Sequence, residues 1–234
     1  MKTIGLVGGV SWESSIEYYR IINEAVRARL GGFHSAPSVM VSVDFADIVP
    51  VQHDLDWDAS ARHMAAAAVA AQRAGADFLL ICSCTMNSVV DRVQQRLDIP
   101  ILHIADATAD AVKARGMTKV GLLGTRFTME QDYFQGRLAR RHGLEVVVPG
   151  EDDRQLVHRV IYDELVVGRV EPTSREEYSG VMRRLADRGV EGIILGCTEI
   201  GLLVGDLQSP VPTFDTTRLH AEAAVEFALA EDTE

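Results

Sequence analysis

Cys197 lies within the run Val190-Glu191-Gly192-Ile193-Ile194-Leu195-Gly196-Cys197-Thr198-Glu199-Ile200, which reads as a buried apolar strand stopped by a glycine, then the cysteine, then a helix opened by Thr198 and Glu199. A thiol just past the C-terminal end of a parallel strand sits where open α/β sheets bind ligands. With an ordinary pKa of about 8.5 it is a usable acid or base near neutrality. Free cysteine is also a common small hydrophobe, so one thiol alone assigns no chemistry. A second protic group, Ser83-Cys84-Thr85-Met86-Asn87, follows another apolar run, Asp77 to Cys82. Two such groups facing a bound carbon from opposite sides could remove a proton on one face and return one on the other. That inverts a stereocentre. Cys82 is expected in the core. Cys82 and Cys84 form Cys-x-Cys, but His103 and His158 supply no metal-ligand spacing. Gly5-x-x-Gly8-Gly9 lacks both dinucleotide and P-loop signatures, and reads instead as close backbone approach to a ligand, with Ser11 beside it.

The elements that must position these residues alternate. Thr3 to Val7 is a strand, followed by a helix capped by Ser11, with Ile16, Tyr19, Asn23, Val26 and Leu30 on its apolar face. Val39 to Asp44 is a second strand and leads into a loop through Pro50, Gln52 and Asp54. Asp58 to Ala74 is a helix, Asp77 to Cys82 a third strand, and a helix follows to about Leu97. Pro100 to Ile104 is a fourth strand, after which Asp106 caps a helix ending near Gly116. Short strands alternating with helices mean parallel βαβ units.

The second half repeats the first. Ile4-Gly5-Leu6-Val7-Gly8-Gly9 is echoed by Val120-Gly121-Leu122-Leu123-Gly124-Thr125, and Gly75 to Ser83 by Gly189 to Cys197. The strand from Pro100 has its counterpart in Pro210-Val211-Pro212-Thr213-Phe214-Asp215. The expected fold is α/β: two similar parallel-sheet domains related by a pseudo-twofold axis, with the active site in the cleft between them. The domains are residues 1–98 plus 209–234, and 99–208, with junctions near Ile99 and Ser209. The ungapped register pairs Ser83 with Cys197. A register slipped by one pairs Cys84 with Cys197 and restores two thiols.

The chain resembles the aspartate/glutamate racemase family, in its branch with relaxed specificity. The resemblance spans essentially the whole chain. It is carried by Gly5-Leu6-Val7-Gly8-Gly9-Val10-Ser11-Trp12-Glu13-Ser14, by Gly124-Thr125-Arg126-Phe127-Thr128-Met129-Glu130-Gln131 and by Leu195-Gly196-Cys197-Thr198-Glu199-Ile200. It implies racemisation of a small acidic amino acid by a homodimer, without pyridoxal phosphate or metal. Family members carry Cys-Asn-Thr, or Thr-Asn-Thr, and then a histidine two residues on. Here Ser83 takes the first acid/base position, Cys84 replaces the asparagine and Asn87 the histidine. A serine hydroxyl is several pK units less acidic than a thiol, at about 1.4 kcal/mol per unit. Gln52 falls where the family reads the side-chain carboxylate, and strictly aspartate-specific relatives are expected to carry arginine there. Ser11, Cys84, Thr85, Thr125 and Thr198 complete the expected substrate contacts. The same fold also suits a decarboxylase or isomerase of small dicarboxylates using Cys197 alone, or a binding protein without turnover.

Composition narrows the partners. A net charge of −11 argues against nucleic acid or an anionic membrane surface. Three cysteines make no disulfide framework, and neither a signal peptide nor a membrane-length apolar run is expected. The expected compartment is the cytoplasm.

Overall fold

The computed structural model describes residues 1–205 and 209–230. The described backbone divides into two units, residues 1–104 with 220–230, and residues 105–205 with 209–219. Each is built on a parallel sheet flanked by helices, as the alternation of elements predicts.

The first unit contains β1 (Ile4–Gly8), α1 (Trp12–Leu30), β2 (Ser38–Ser42), α2 (Phe45–His53), α3 (Trp57–Arg73), β3 (Phe78–Ile81), a 3-10 turn at Thr85–Val89 and α4 (Val90–Gln94). Its strand order is β2-β1-β3. Alternate side chains bury on opposite faces. Ile4, Leu6, Phe78 and Leu80 pack with Tyr18, Ile22 and Val225, while Val7, Leu79 and Ile81 pack with Ile48, Met64 and Met86. Both faces of β1 and β3 are covered, so these two strands carry no polar side chain. Each large apolar side chain buried there contributes about 1.5–3 kcal/mol.

The second unit contains α5 (Ile104–Ala114, beginning at the boundary), β4 (Lys119–Gly124), α6 (Arg126–Glu130), α7 (Asp132–His142), β5 (Glu145–Val147) and α8 (Glu151–Asp163). A 3-10 turn at Leu165–Val167 leads to α9 (Pro172–Asp187), β6 (Gly192–Gly196), α10 (Ile200–Val204) and β7 (Thr213–Asp215). Helix α11 (Thr216–Leu229) then crosses into the first unit. The strand order is β5-β4-β6-β7. The first sheet has the same plan, because Ile101 bridges Leu79 in parallel where a fourth strand would lie. The repeat extends to strand-entry contacts. Asp77 Oδ2 accepts from Thr3 N at 2.6 Å, and Glu191 Oε2 accepts from Thr118 N at 2.7 Å.

Several expectations need correction. The expected strand at Pro100–Ile104 is reduced to that single bridge, and α5 begins at Ile104. Asp106 therefore lies within the first turn of α5 and does not cap it. Its carboxylate accepts two bonds from Arg137 and faces His142 Nε2 at 2.9 Å. The loop through Pro50 is helix α2, capped by Asp44, whose side chain accepts from Ala46 N. The face expected to be buried on α1 is mostly exposed. Ile16, Tyr19 and Leu30 face solvent, while Tyr18, Ile21, Ile22 and Val26 are buried. The crossovers also fall later than Ile99 and Ser209. Pro100–Leu102 hydrogen-bonds to Leu79, and β7 pairs with β6. Residues 206–208 and 231–234, which the expected domain ranges include, lie outside the described residues.

Candidate functional site

In the first unit, the loops after β1 and β3 leave the C-terminal ends of two paired parallel strands. The first carries Ser11, whose hydroxyl accepts from Ser14 N at 3.4 Å and caps α1. Ser11 has φ 43°, a conformation that costs a non-glycine residue on the order of 1–3 kcal/mol and clusters at functional positions. The glycines before it are explained within the unit. A Cβ at Gly9 would stand 2.1 Å from Val43 O, and one at Gly8 2.6 Å from Ser15 Oγ. Close packing inside the fold thus accounts for them, without the ligand approach expected from sequence.

The second loop carries Ser83, Cys84 and Thr85, all buried. Ser83 Oγ accepts from Met86 N at 3.3 Å. Asn87 staples this loop. Its Nδ2 donates to Ser83 O at 2.8 Å and Ile81 O at 3.2 Å, and its Oδ1 accepts from Ile104 N at 3.2 Å. Cys82 is fully buried in the core, and burial pushes its thiol far above the ordinary range. Gln52, 1% exposed, sits in the last turn of α2. Trp12, one residue past Ser11, faces solvent.

In the second unit, Thr125 follows β4 and caps α6, its hydroxyl accepting from Thr128 N at 3.3 Å. Cys197 and Thr198 follow β6. Gly196 is required by strand packing, since a Cβ there would lie 2.8 Å from Leu122 Cδ1 and 2.9 Å from Leu123 O. Cys197 Sγ donates to Glu199 Oε2 at 2.9 Å, and Thr198 Oγ1 donates to the same oxygen at 2.7 Å. Tyr162 lies close enough to feel both groups. Burial first, and then the negative fields of Cys197 and Glu199, push its phenol well up, against the opposing pull of Arg126. His158 stacks on Tyr162 with ring centroids 4.7 Å apart.

The strand registers are consistent with the ungapped repeat between the two loops. Val7 pairs with Ile81, and Leu123 pairs with Leu195. Ser83 and Cys197 each stand two residues beyond the strand position so paired. Sequence reasoning missed Asn87 as a staple and Glu199 as the thiol's partner. The signal for Glu199 was an acidic side chain directly after two protic ones at the end of an apolar run.

The sequence profile of the Asp/Glu/hydantoin racemase family matches residues 7–224. The chain belongs to this family. Among solved structures, a Yersinia pestis protein assigned as an Asp/Glu racemase is 49% identical, with a TM-score of 0.91 over 98% of this chain and 100% of its own. An aspartate racemase homologue from Pyrococcus horikoshii OT3 is 32% identical, with a TM-score of 0.84 over 98% of this chain and 100% of its own. The broad specificity amino-acid racemase RacX of Bacillus subtilis (strain 168) is 22% identical over 179 residues, 75% of each chain. The family match spans every candidate residue from Ser11 to Thr198.

Proposed function

We propose that this racemase-family chain inverts the α-carbon of a small acidic amino acid without a cofactor, Cys197 and Ser83 acting on opposite faces. The observation that carries the reading is the equivalence of Ser83 and Cys197 in the two sheets, each just beyond a strand paired in the same way. Gln52 reads the distal carboxylate, and its neutral amide tolerates more than one chain length, which supports breadth across aspartate and glutamate. Ser11, Cys84, Thr85, Thr125 and Thr198 line the substrate. Ser11, Thr125 and Thr198 already make hydrogen bonds inside their own units, so each would offer the substrate its remaining capacity.

The serine sets the energetics. A hydroxyl in place of a thiol raises the cost of proton transfer on that face by several kcal/mol unless the site activates it. At saturating substrate, turnover from the two enantiomers should therefore start at unequal rates, with KM compensating so that the equilibrium constant stays at one. The protein is read as a cytoplasmic homodimer. Three free cysteines fit a reducing compartment, and among the described residues no helix is long and apolar enough to cross a membrane. Chiral chromatography of each amino acid after incubation tests the function. Appearance of the opposite enantiomer of aspartate or glutamate supports it. Carbon dioxide release from malonates, with no amino-acid inversion, would replace it with the decarboxylase reading.

A further inference from the structure

Glu199 is only 3% exposed, and it is held at the start of α10 among the apolar side chains of the second unit. Its Oε2 accepts from Cys197 Sγ at 2.9 Å and from Thr198 Oγ1 at 2.7 Å. Both contacts end on Oε2, which therefore serves as an acceptor toward the thiol and the hydroxyl. Thr198 fixes the direction of that carboxylate, and the carboxylate in turn aims the thiol.

We propose that Glu199 is the positioning residue of Cys197: it keeps the proton on Sγ and so makes Cys197 rest as the proton-donating member of the pair. The proposal deepens the racemase reading and rests on it for its catalytic consequence. A carboxylate that accepts the S–H bond favours the neutral thiol. It also opposes the thiolate, because two negative charges would then share one buried site. The other groups of the second unit that face this site are Tyr162 and His158 on α8, Tyr178 on α9, Arg126 opening α6 and Asp215 ending β7, beside Gly201. Both phenols are pushed up, chiefly by burial, so they remain neutral and do not exchange charge with the thiol. Arg126 opposes the negative field at Tyr162 and does not displace Glu199 from the thiol.

In the direction this favours, a base on the far face takes the α-proton and the C–H electron pair stays on the substrate, delocalised into its carboxylate. Cys197 then passes its Sγ proton to the α-carbon from the near face and is left as thiolate. Solvent water reprotonates the thiolate, and the far-face base returns its proton to solvent, so protons and charge balance over the cycle. In the opposite direction Cys197 must first lose its proton beside Glu199, which slows that enantiomer.

The experiment follows alkylation of Cys197 by iodoacetamide between neutral pH and about pH 10, in the full-length protein. Peptide mass mapping separates Cys197 from Cys82 and Cys84. In the wild type, the midpoint should lie above the ordinary thiol value of about 8.5. Glu199→Gln keeps the shape and an acceptor oxygen but removes the charge. It should alkylate about tenfold faster or more near neutrality, the effect of a downward shift of about one pH unit. Glu199→Asp, which retains the charge, should stay closer to the wild type. The ratio of α-proton exchange rates for the two enantiomers should also change in Glu199→Gln. A wild-type midpoint below the ordinary thiol value would overturn the proposal. So would an unchanged midpoint in Glu199→Gln, or equal losses of exchange for both enantiomers. Absence of exchange with every amino acid would instead overturn the racemase reading, and the alkylation profiles would still decide the role of Glu199.

Discussion

Asn87 binds the Ser83 loop to the first residue of α5: its Nδ2 donates to Ser83 O at 2.8 Å, and its Oδ1 accepts from Ile104 N at 3.2 Å. The side chain is buried, so each bond it makes replaces one that water cannot supply. Asn87→Ala should cost about 1–3 kcal/mol of stability, the penalty for stranding buried polar groups. Urea unfolding checks this as a lower midpoint with an unchanged slope. Turnover should fall as well, because Ser83 loses the staple that holds its loop.

Glu191 accepts from the backbone N–H groups of Thr118 and Lys119 at 2.7 and 2.8 Å, and these bonds hold its carboxyl below the ordinary value of 4.5. A depressed folded-state pKa contributes stability that is fully present above the unfolded value and is lost as pH falls through the folded one. Glu191→Gln should therefore melt below the wild type at neutral pH. The gap should close as pH drops below about 4.5 and on through the lower folded-state value. Paired melting curves at several pH values provide the check.

Gly9 and Gly143 both have positive φ, 88° and 72°, but their surroundings differ. A Cβ at Gly143 meets nothing within 4 Å, whereas one at Gly9 would stand 2.1 Å from Val43 O. Gly143→Ala should cost only the backbone strain, about 1–2 kcal/mol. Gly9→Ala should cost clearly more, because β2 or the β1 loop must move. Denaturant midpoints of the two variants, measured side by side, test the difference.

Gln52 lies buried at the end of α2, and the proposed function gives it the distal carboxylate of the substrate. Gln52→Arg should narrow specificity toward aspartate. The measurement is the ratio of kcat/KM for aspartate and glutamate, and an unchanged ratio would remove Gln52 from the specificity determinants.

Strands β1, β3, β4 and β6 and the duplication were legible because parallel strands buried on both faces leave apolar runs, those of β1, β4 and β6 ending in glycine. The helices were less so, for identifiable reasons. Helix α1 carries two apolar stripes at helical spacing, one through Ile16 and Tyr19 and one through Tyr18, Ile22 and Val26. Periodicity alone cannot choose between them. The buried stripe is disguised by Ser14 and Ser15, and by Tyr18, whose hydroxyl meets His220 Nδ1 at 2.8 Å across a long stretch of sequence. Helix α2 was hidden by Pro50, which removes a helical N–H but is tolerated inside a short helix that Asp44 caps. Asp106 resembles a cap by residue type, yet long-range bonds to Arg137 and His142 claim it. Ser83 and Cys197 stand out in the sequence because the repeat sets them in register. Asn87 and Glu199 do not, because their roles consist of hydrogen bonds that spacing does not encode.

The central claim is that Cys197 and Ser83 exchange protons with the α-carbon from opposite faces. It is tested by α-proton exchange in D₂O, followed by NMR with each enantiomer of aspartate and glutamate separately, for the wild type, Cys197→Ala and Ser83→Ala. Wild-type protein should incorporate deuterium, at different initial rates for the two enantiomers. Each variant should lose interconversion, and each should retain at most slow exchange from the one enantiomer whose proton faces the remaining group. Full exchange and inversion by Cys197→Ala would contradict the account.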